Sequence, residues 1–441
     1  MLTLFLLSCA DTPSSTTGVT PTSPEADVDT DTDTDADTDA DTDADTDADT
    51  DTDTDVEPEP LRIEQIQVTG DSIGEAALII GPDGTTVLLD VAGESHTDAV
   101  LAALDYHLGE RAVDWVVLTH WHRDHVGGLA ALIGGDNPEL VVREAVVTRG
   151  LVDLDDRAAH PDETTAACTA LSESGLTQIE LCDGPKLAPC DLKGSGKPWP
   201  ATDCDGLLLG DLSDATDDNE GRLSRIPLGD DATLALYWVN GWLATSDGIL
   251  ESSGEGVVLR YDHFNEENAR SMGGFIRYGD FLYLFGGDLT GGGAGTPMVE
   301  QLIVSAGDTI TDDGQPAMPS GQADVLHINH HGHSTATTED WVDWVMPDDG
   351  QPRTAIVGAN QHYLGAVDQG VLDRLHARLA GGEVWITEDG QADSTVKTEH
   401  IVDASVLLSV TDGGSSYTVS ARAGDKLLDV TTLQSTTTPT K

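Results

Sequence analysis

Residues 119–128 read Thr119, His120, Trp121, His122, Arg123, Asp124, His125, Val126, Gly127, Gly128, and they decide the fold: three imidazoles and a carboxylate fall within six positions. Upstream, VDWVVLT at 113–119 is nearly all apolar, as in a strand covered on both faces, and downstream GGLAALIG can open a helix. The run therefore sits on a strand-to-helix loop, and the carboxyl end of a strand is where open α/β proteins hold their chemistry. His120 and His122 can grip one metal ion while Asp124 and His125 turn toward a second. Imidazole nitrogen and carboxylate oxygen suit Zn²⁺ or a similar borderline ion, and a position left open holds a water.

A chain of 441 residues allows one large or two average domains. From Asp27 to Asp55 every second residue is aspartate. Such a run repels itself and has nothing apolar to bury, so residues 10–60 are expected to be a disordered, extended tether. Ahead of it, MLTLFLLSC at 1–9 ends in Leu6, Leu7, Ser8 and Cys9, which resembles a bacterial lipoprotein signal whose cysteine is acylated. Cys9 is thus the candidate lipidation site. The protein is expected to be exported, either secreted or held at the periplasmic or outer membrane by that N-terminal anchor alone. No other stretch approaches the ~20 apolar residues of a membrane span.

The remaining cysteines, Cys168, Cys182, Cys190 and Cys204, are spaced 14, 8 and 14. An even cluster in an exported chain suggests two disulfides with three pairings open; a Zn²⁺ cluster is the weaker alternative, since no CxxC is present. Their Gly, Pro and Asp-rich surroundings read as a stapled surface insertion over about 150–230. Net charge is −59; residues 1–60 carry 19 acids and no bases, which leaves −40 on residues 61–441. A polyanionic substrate would be repelled unless metal ions and local Arg residues compensate.

Strand signals at 61–80 and 85–90, helical spacing at 97–108 and the metal-run strand form one βα half. A second follows in TAIVGAN at 354–360, VLDRLHARLA at 371–380 and EVWIT at 383–387. Two such halves stacked face to face are what this order implies. TLALYWV at 233–239 and GVVLRYD at 256–262 read as strands, and SVLLSVTDGGSSYTVSA at 405–421 as a hairpin with a Gly-Gly turn. The domain is bounded at 61–430, with a frayed Thr-rich tail at 431–441.

With HxHxDH on a strand-to-helix loop, the chain resembles the metallo-β-lactamase superfamily, which implies a four-layer αββα sandwich of that type within the α/β class. The resemblance also implies further ligands. Asp288, closing the strand FLYLFGGD, takes the place of the aspartate that bridges both metals, a task suited to a carboxylate because each oxygen can take one cation. In DVLHINHHGHSTATT at 324–338, a histidine closes the second site: His330, first after the strand, is the expectation and His331 the alternative. His327 would point into packing, and His333 falls to substrate or outer contacts. Asp90 corresponds to the buried aspartate that orients the metal loop. The place of the first ion's third histidine holds Asn268, a poor Zn²⁺ ligand, with His263 as a lone substitute. Zn²⁺ is the first expectation for one or two divalent ions, and a harder ion such as Mn²⁺ the second.

Asn268 with Ser271, then RYG at 277–279, GGD at 286–288 and HHG at 330–332 make residues 62–392 similar to the extracellular metallo-hydrolase domain of the bacterial competence DNA-uptake channel. That domain's later Gly-His-Pro is absent, Leu364, Gly365 and Ala366 standing there, with His362 nearby. The function implied is a metallo-hydrolase in which Asp124 and Asp288 are catalytic, His120, His122, Asp124, His125, Asp288 and His330 hold metal, and a hydroxide between ions ~3.5–4 Å apart attacks. Asn268, Ser271 and Ser334 would position substrate. The substrate implied is DNA or another phosphodiester; an ester, lactone or amide, or a non-catalytic metal-binding surface module, is the alternative. Oligomeric state is left open.

Overall fold

The structure is a computed structural model that describes residues 59–70, 72–150, 161–182, 190, 204–213, 222–245, 248–251, 267–292, 296–307, 311–312, 315–316, 323–360, 367–388 and 400–435. All belong to one unit, Val56–Lys441. The lipoprotein-like segment with Cys9, the aspartate run, GVVLRYD, His263 and His362 lie outside the described residues.

The first sheet takes β1 (Leu61–Gln65), β2 (Ala77–Ile80), β3 (Thr86–Leu89), β4 (Ala112–Leu118), β5 (Val141–Thr148) and β6 (Gln178–Glu180). Helices α1 (Thr97–Leu108), α2 (Arg123–Val126), α3 (Leu129–Ile133) and α4 (Pro161–Glu173) fall between them. The second sheet takes β7 (Ser224–Gly229), β8 (Ala232–Val239), β9 (Trp242–Thr245), β10 (Gly248–Glu251), β11 (Gly273–Tyr278) and β12 (Phe281–Phe285). After α5 (Val299–Ala306) and a two-stranded ribbon, β13 (Thr311–Asp312) and β14 (Gln315–Pro316), it continues with β15 (Val325–His327), α6 (Glu339–Val345), β16 (Thr354–Val357), α7 (Gln369–His376), β17 (Glu383–Ile386) and β18 (His400–Ile401). The chain then returns to the first sheet through β19 (Ser405–Thr411), β20 (Ser416–Ala423) and β21 (Lys426–Gln434).

The first sheet runs β21-β20-β19-β1-β2-β3-β4-β5-β6, and the second β10-β9-β8-β11-β12-β15-β16-β17-β18 with β7 also on β8. From β3 to β6 the pairing is parallel, as it is from β12 through β15 to β18. The expected face-to-face halves are there, but the C-terminal strands complete the N-terminal sheet, where β19 lies antiparallel to β1. Thr431–Gln434, expected in the frayed tail, are the end of β21 because they pair with β20.

Strand periodicity builds the layers. On β4, Trp115 and Val117 enter one core, which also takes Leu234 and Leu236 of β8; Val116 and Leu118 enter a second core with Val100 and Leu104 of α1 and Leu129 and Leu132. Alternation thus makes each strand serve both cores, and each buried aliphatic side chain contributes about 1.5–3 kcal/mol. Beyond the second sheet, Ile303, Trp341 and Leu375 of α5, α6 and α7 close the far layer. The result is four layers, helix, sheet, sheet, helix. The ligand-bearing loops follow β3, β4, β12 and β15, all at the carboxyl ends of strands in the parallel halves.

The cysteines pair Cys168 with Cys190 and Cys182 with Cys204. Cys182 and Cys204 are buried in the core between the sheets, which corrects the reading of the cysteine cluster as wholly surface: Leu181 and Leu207 beside them carry the pair inward. Among the described residues no helix is long and apolar enough to cross a membrane.

Candidate metal centre

β4 ends at Leu118, and the next residue is anchored at once. Thr119 donates its amide to Asp90 Oδ1 and its hydroxyl to Asp90 Oδ2, both at 2.7 Å. Asp90, left-handed at φ 56, also accepts at 2.8 Å from His125 Nδ1. That contact fixes the ring's orientation and leaves His125 Nε2 facing Asp288 Oδ1, 3.2 Å away. Because α2 starts directly after His122, Asp124 and His125 ride on its first turn. Trp121, between the two histidines, is pinned from both ends: its indole donates to the Gly150 carbonyl and its amide to Glu267 Oε1. Glu267 in turn takes two guanidinium bonds from buried Arg149, at 2.6 and 2.7 Å.

Asp288 follows β12 through Gly286 and Gly287. Gly287 sits at φ 55, and a Cβ there would meet the Thr119 side chain at 2.8 Å, so only glycine lets β12 approach the metal run this closely. The Asp288 amide donates to Ser271 Oγ at 3.1 Å. Ser271 is buried and holds the backbone of Asp288. The two Asp288 oxygens then divide the site: Oδ2 lies 3.6 Å from His120 Nε2 and 3.8 Å from His330 Nε2, while Oδ1 faces His125 and, at 3.8 Å, His331 Nε2.

The loop after β15 supplies the rest. His330 (φ 53, ψ 49) and His331 (φ 50, ψ 20) are consecutive left-handed residues, a conformation that costs on the order of 1–3 kcal/mol at each non-glycine position and recurs at functional sites. It splays the two rings apart. His331 Nε2 comes within 3.4 Å of Asp124 Oδ2, while His330 Nε2 meets Asn268 Nδ2 at 3.0 Å. Of the two histidines expected here, His331 is thus the ring beside Asp124, and His330 the ring beside Asn268. The loop is clamped by buried Glu300 of α5, which accepts from Asn329 Nδ2, from the Thr337 amide and from the amide and hydroxyl of Thr338. His333 is half-buried with Nδ1 on Thr335 Oγ1 at 2.9 Å, and Ser334 is exposed.

Glu75 had no place in the sequence reading. It is fully buried, with Oε2 3.2 Å from His331 Nδ1 and Oε1 2.5 Å from His327 Nε2. Its amide donates to the Asp124 carbonyl and its carbonyl accepts from the Ala92 amide, so it joins the Asp90 loop to the metal run. The one signal was an acid heading the wholly apolar strand AALII, where an unpaired carboxylate is costly.

A divalent metal fits these residues. Nε2 of His120, His125 and His331 and Oδ1 of Asp288 are buried without a hydrogen-bond partner, and each such atom costs about 1–3 kcal/mol. Ligand atoms of Glu75, His125, Asp288 and His331 lie within 4.8 Å of one another, as do those of His120, His122 and Asp288. Burial and the neighbouring His125 hold His120 well below the ordinary imidazole range. Against burial, Asp288 and Asp90 raise His125 well above that range, and Asp288, Asp124 and Glu75 raise His331 to about 9. His125, His330 and His331 hold Asp288 well below the carboxylate range despite its burial. Convergent imidazoles around ionised carboxylates are a cation's donor set.

Two sheets whose parallel strand ends present such a set define an α/β protein with a candidate two-ion centre. Residues 70–216 match the family model of the metallo-beta-lactamase superfamily, and the fold is the four-layer sandwich of that type. The match takes in Asp90 and His120–His125 and ends before Asp288 and the His330 loop. Among solved structures, a diphosphatase of the PhnP family is similar at 9% identity and a TM-score of 0.32, over 80% of this chain and 99% of that one. No curated protein matches the chain.

Proposed function

We propose that this protein is a metal-dependent hydrolase that works outside the cytoplasm on a phosphodiester. The observation that carries the reading is the convergence on Asp288 of buried, otherwise unpartnered nitrogens from His120, His125 and His331. Divalent ions held there would supply an acidified water and Lewis-acid polarisation of a phosphoryl oxygen. His120, His122 and Asp288 Oδ2 would hold one ion, and Asp124, His125, His331 and Asp288 Oδ1 the other. Asp90 and the Gly358 carbonyl, 3.1 Å from His331 Nδ1, fix the ring orientations that turn each Nε2 inward. His122, His330 and His333 are the partly exposed members, so substrate reaches the centre from their side. Two disulfides support an oxidising compartment.

The likeness of Asn268, Ser271, Gly286–Asp288 and His330–Gly332 to the competence domain supports the phosphodiester. The charge of −40 on residues 61–441 points to a short or single-stranded one, since a long duplex needs a broad basic face. That same acidity favours the second reading, hydrolysis of a small ester, lactone or amide. Assaying the purified protein on a chromogenic phosphodiester beside a lactone and a β-lactam separates them. Phosphodiester turnover that disappears in His122→Ala is the expected result; turnover of the lactone alone would establish the second reading, and a metal-loaded protein that cleaves nothing would leave a binding module.

A further inference from the structure

The His120 side of the centre is short of a nitrogen. His120 and His122 bring two imidazoles and Asp288 one oxygen, and Asn268, near in space, offers only an amide. Beside Asn268, however, stands a ring from another element. His330 Nε2 is 3.0 Å from Asn268 Nδ2 and 3.8 Å from Asp288 Oδ2, the same carboxylate oxygen that lies 3.6 Å from His120 Nε2. We infer that His330 supplies the third nitrogen of the ion held by His120 and His122, from beside the place where Asn268 stands. The inference rests on the metal-dependent reading above.

Several contacts prepare the ring for this task. His330 Nδ1 faces Thr335 Oγ1 at 3.3 Å, and that hydroxyl is shared with His333 Nδ1 at 2.9 Å. With one ring nitrogen engaged by an outer partner, the other is the one turned to the centre, as in metal-ligating histidines generally. The His330 amide donates to the Gly287 carbonyl at 3.0 Å, so the residue is tied to the peptide that precedes Asp288. Its left-handed backbone separates its ring from that of His331. Two adjacent histidines thereby serve opposite sides of one bridging carboxylate. The donor set on the His120 side becomes three imidazoles and a carboxylate oxygen, which selects Zn²⁺ over the harder Mn²⁺ that an asparagine ligand would favour.

The test is metal content and Co²⁺ absorption of the full protein, read without any turnover assay. Wild-type protein is expected to hold two ions. His330→Ala should hold one, with the free Zn²⁺ needed to fill the other raised about 100-fold, at least the loss seen when a group behind a ligand is removed. His330 is a loop residue with its side chain 19% exposed, and far-UV circular dichroism checks that the variant folds. The double variant Asn268→His/His330→Ala should regain the second ion and its visible cobalt bands. If His330→Ala keeps both ions at wild-type affinity and spectrum while His122→Ala loses one, the inference is overturned and the hydrolase reading stands. The same holds if Asn268→Ala, and not His330→Ala, loses an ion, which would make the amide oxygen the ligand. Wild-type protein that binds no ion at any loading would bring down both.

Discussion

The run His120–His125 and the loop His327–Thr335 contribute the same chemistry and are built in opposite ways. In the run, spacing does the work: one strand end, one helix start, and four ligands within six residues. In the loop, position is imposed from outside, by Glu75 behind His327 and His331, by Glu300 across Asn329, Thr337 and Thr338, and by Gly287 against the His330 amide. A motif fixed by local spacing can be read residue by residue. A loop fixed by distant acids can be read only as a region, and which of two neighbouring histidines turns inward is decided by the scaffold.

The two regions meet at Asp288, so the largest effect is expected there. Asp288→Asn replaces one of the two carboxylate oxygens with an amide nitrogen and removes the negative charge that faces His120 and His330 on one side and His125 and His331 on the other. Both ions should be lost on dialysis and turnover should fall by roughly 10⁴-fold, the scale seen when a group on which catalysis hinges is removed. Retention of either ion at wild-type affinity would show that the regions are independent sites and not one centre.

Next in size is the support of the run. Arg149→Met leaves Glu267 buried without its bidentate partner, and breaking such a pair costs about 3–5 kcal/mol. Urea unfolding should show that loss, and metal affinity should fall with it because Glu267 also accepts from the Trp121 amide at 2.8 Å. An unchanged midpoint would mean that the run holds itself and needs no outside clamp.

How far the sequence could be read follows the same division. The strands around the run, α1 at Thr97–Leu108 and the Gly-Gly hairpin after β19 were legible because period and turn residues act locally. Asp90 and Asp288 stood out as acids ending apolar strands only because the resemblance implies acids at those places. Glu75 did not, since its partners His327 and His331 are some 250 residues away and no spacing records them. The burial of Cys182 and Cys204 was hidden for a similar reason: Gly, Pro and Asp in the intervening segment describe the surroundings of the pair and not the core that receives it. The return of β19–β21 to the first sheet is likewise a long-range pairing with β1.

Two buried acids offer a balanced test of the comparison. Asp90 holds His125 in the run, and Glu75 stands behind His331 in the loop. Asp90→Asn and Glu75→Gln should each weaken metal affinity by about 10–100-fold, the usual cost of losing a carboxylate behind a ligating histidine. Measured on the Zn²⁺ affinity of the purified variants, similar losses would place Glu75 on the same footing as Asp90. A loss confined to Asp90→Asn would reduce Glu75 to a packing partner of His327.

The smallest effect expected is on pH dependence, and there the two regions are alike. Each has one histidine shifted down and one shifted up: burial holds His120 low and His330 at about 4, while facing carboxylates raise His125 and bring His331 to about 9. In metal-free protein the raised pair contributes stability that is fully present below the unfolded imidazole pKa of about 6.5 and is lost as pH rises above it, for His331 through about 9. The lowered pair works in the other direction. The native protein binds fewer protons than the unfolded chain below about 6.5, for His330 down to about 4, so stability is lost as pH falls below about 6.5. Metal-free stability should therefore peak near pH 6.5, and urea midpoints at pH 5, 6.5 and 8.5 would show it. Because a ligating histidine must shed its proton, Zn²⁺ affinity on the His125 and His331 side should rise from pH 7 to 9 while the His120 side stays flat. Affinities that rise equally on both sides would mean that His120 and His330 are protonated at neutral pH, and that burial does not separate the two sides of Asp288.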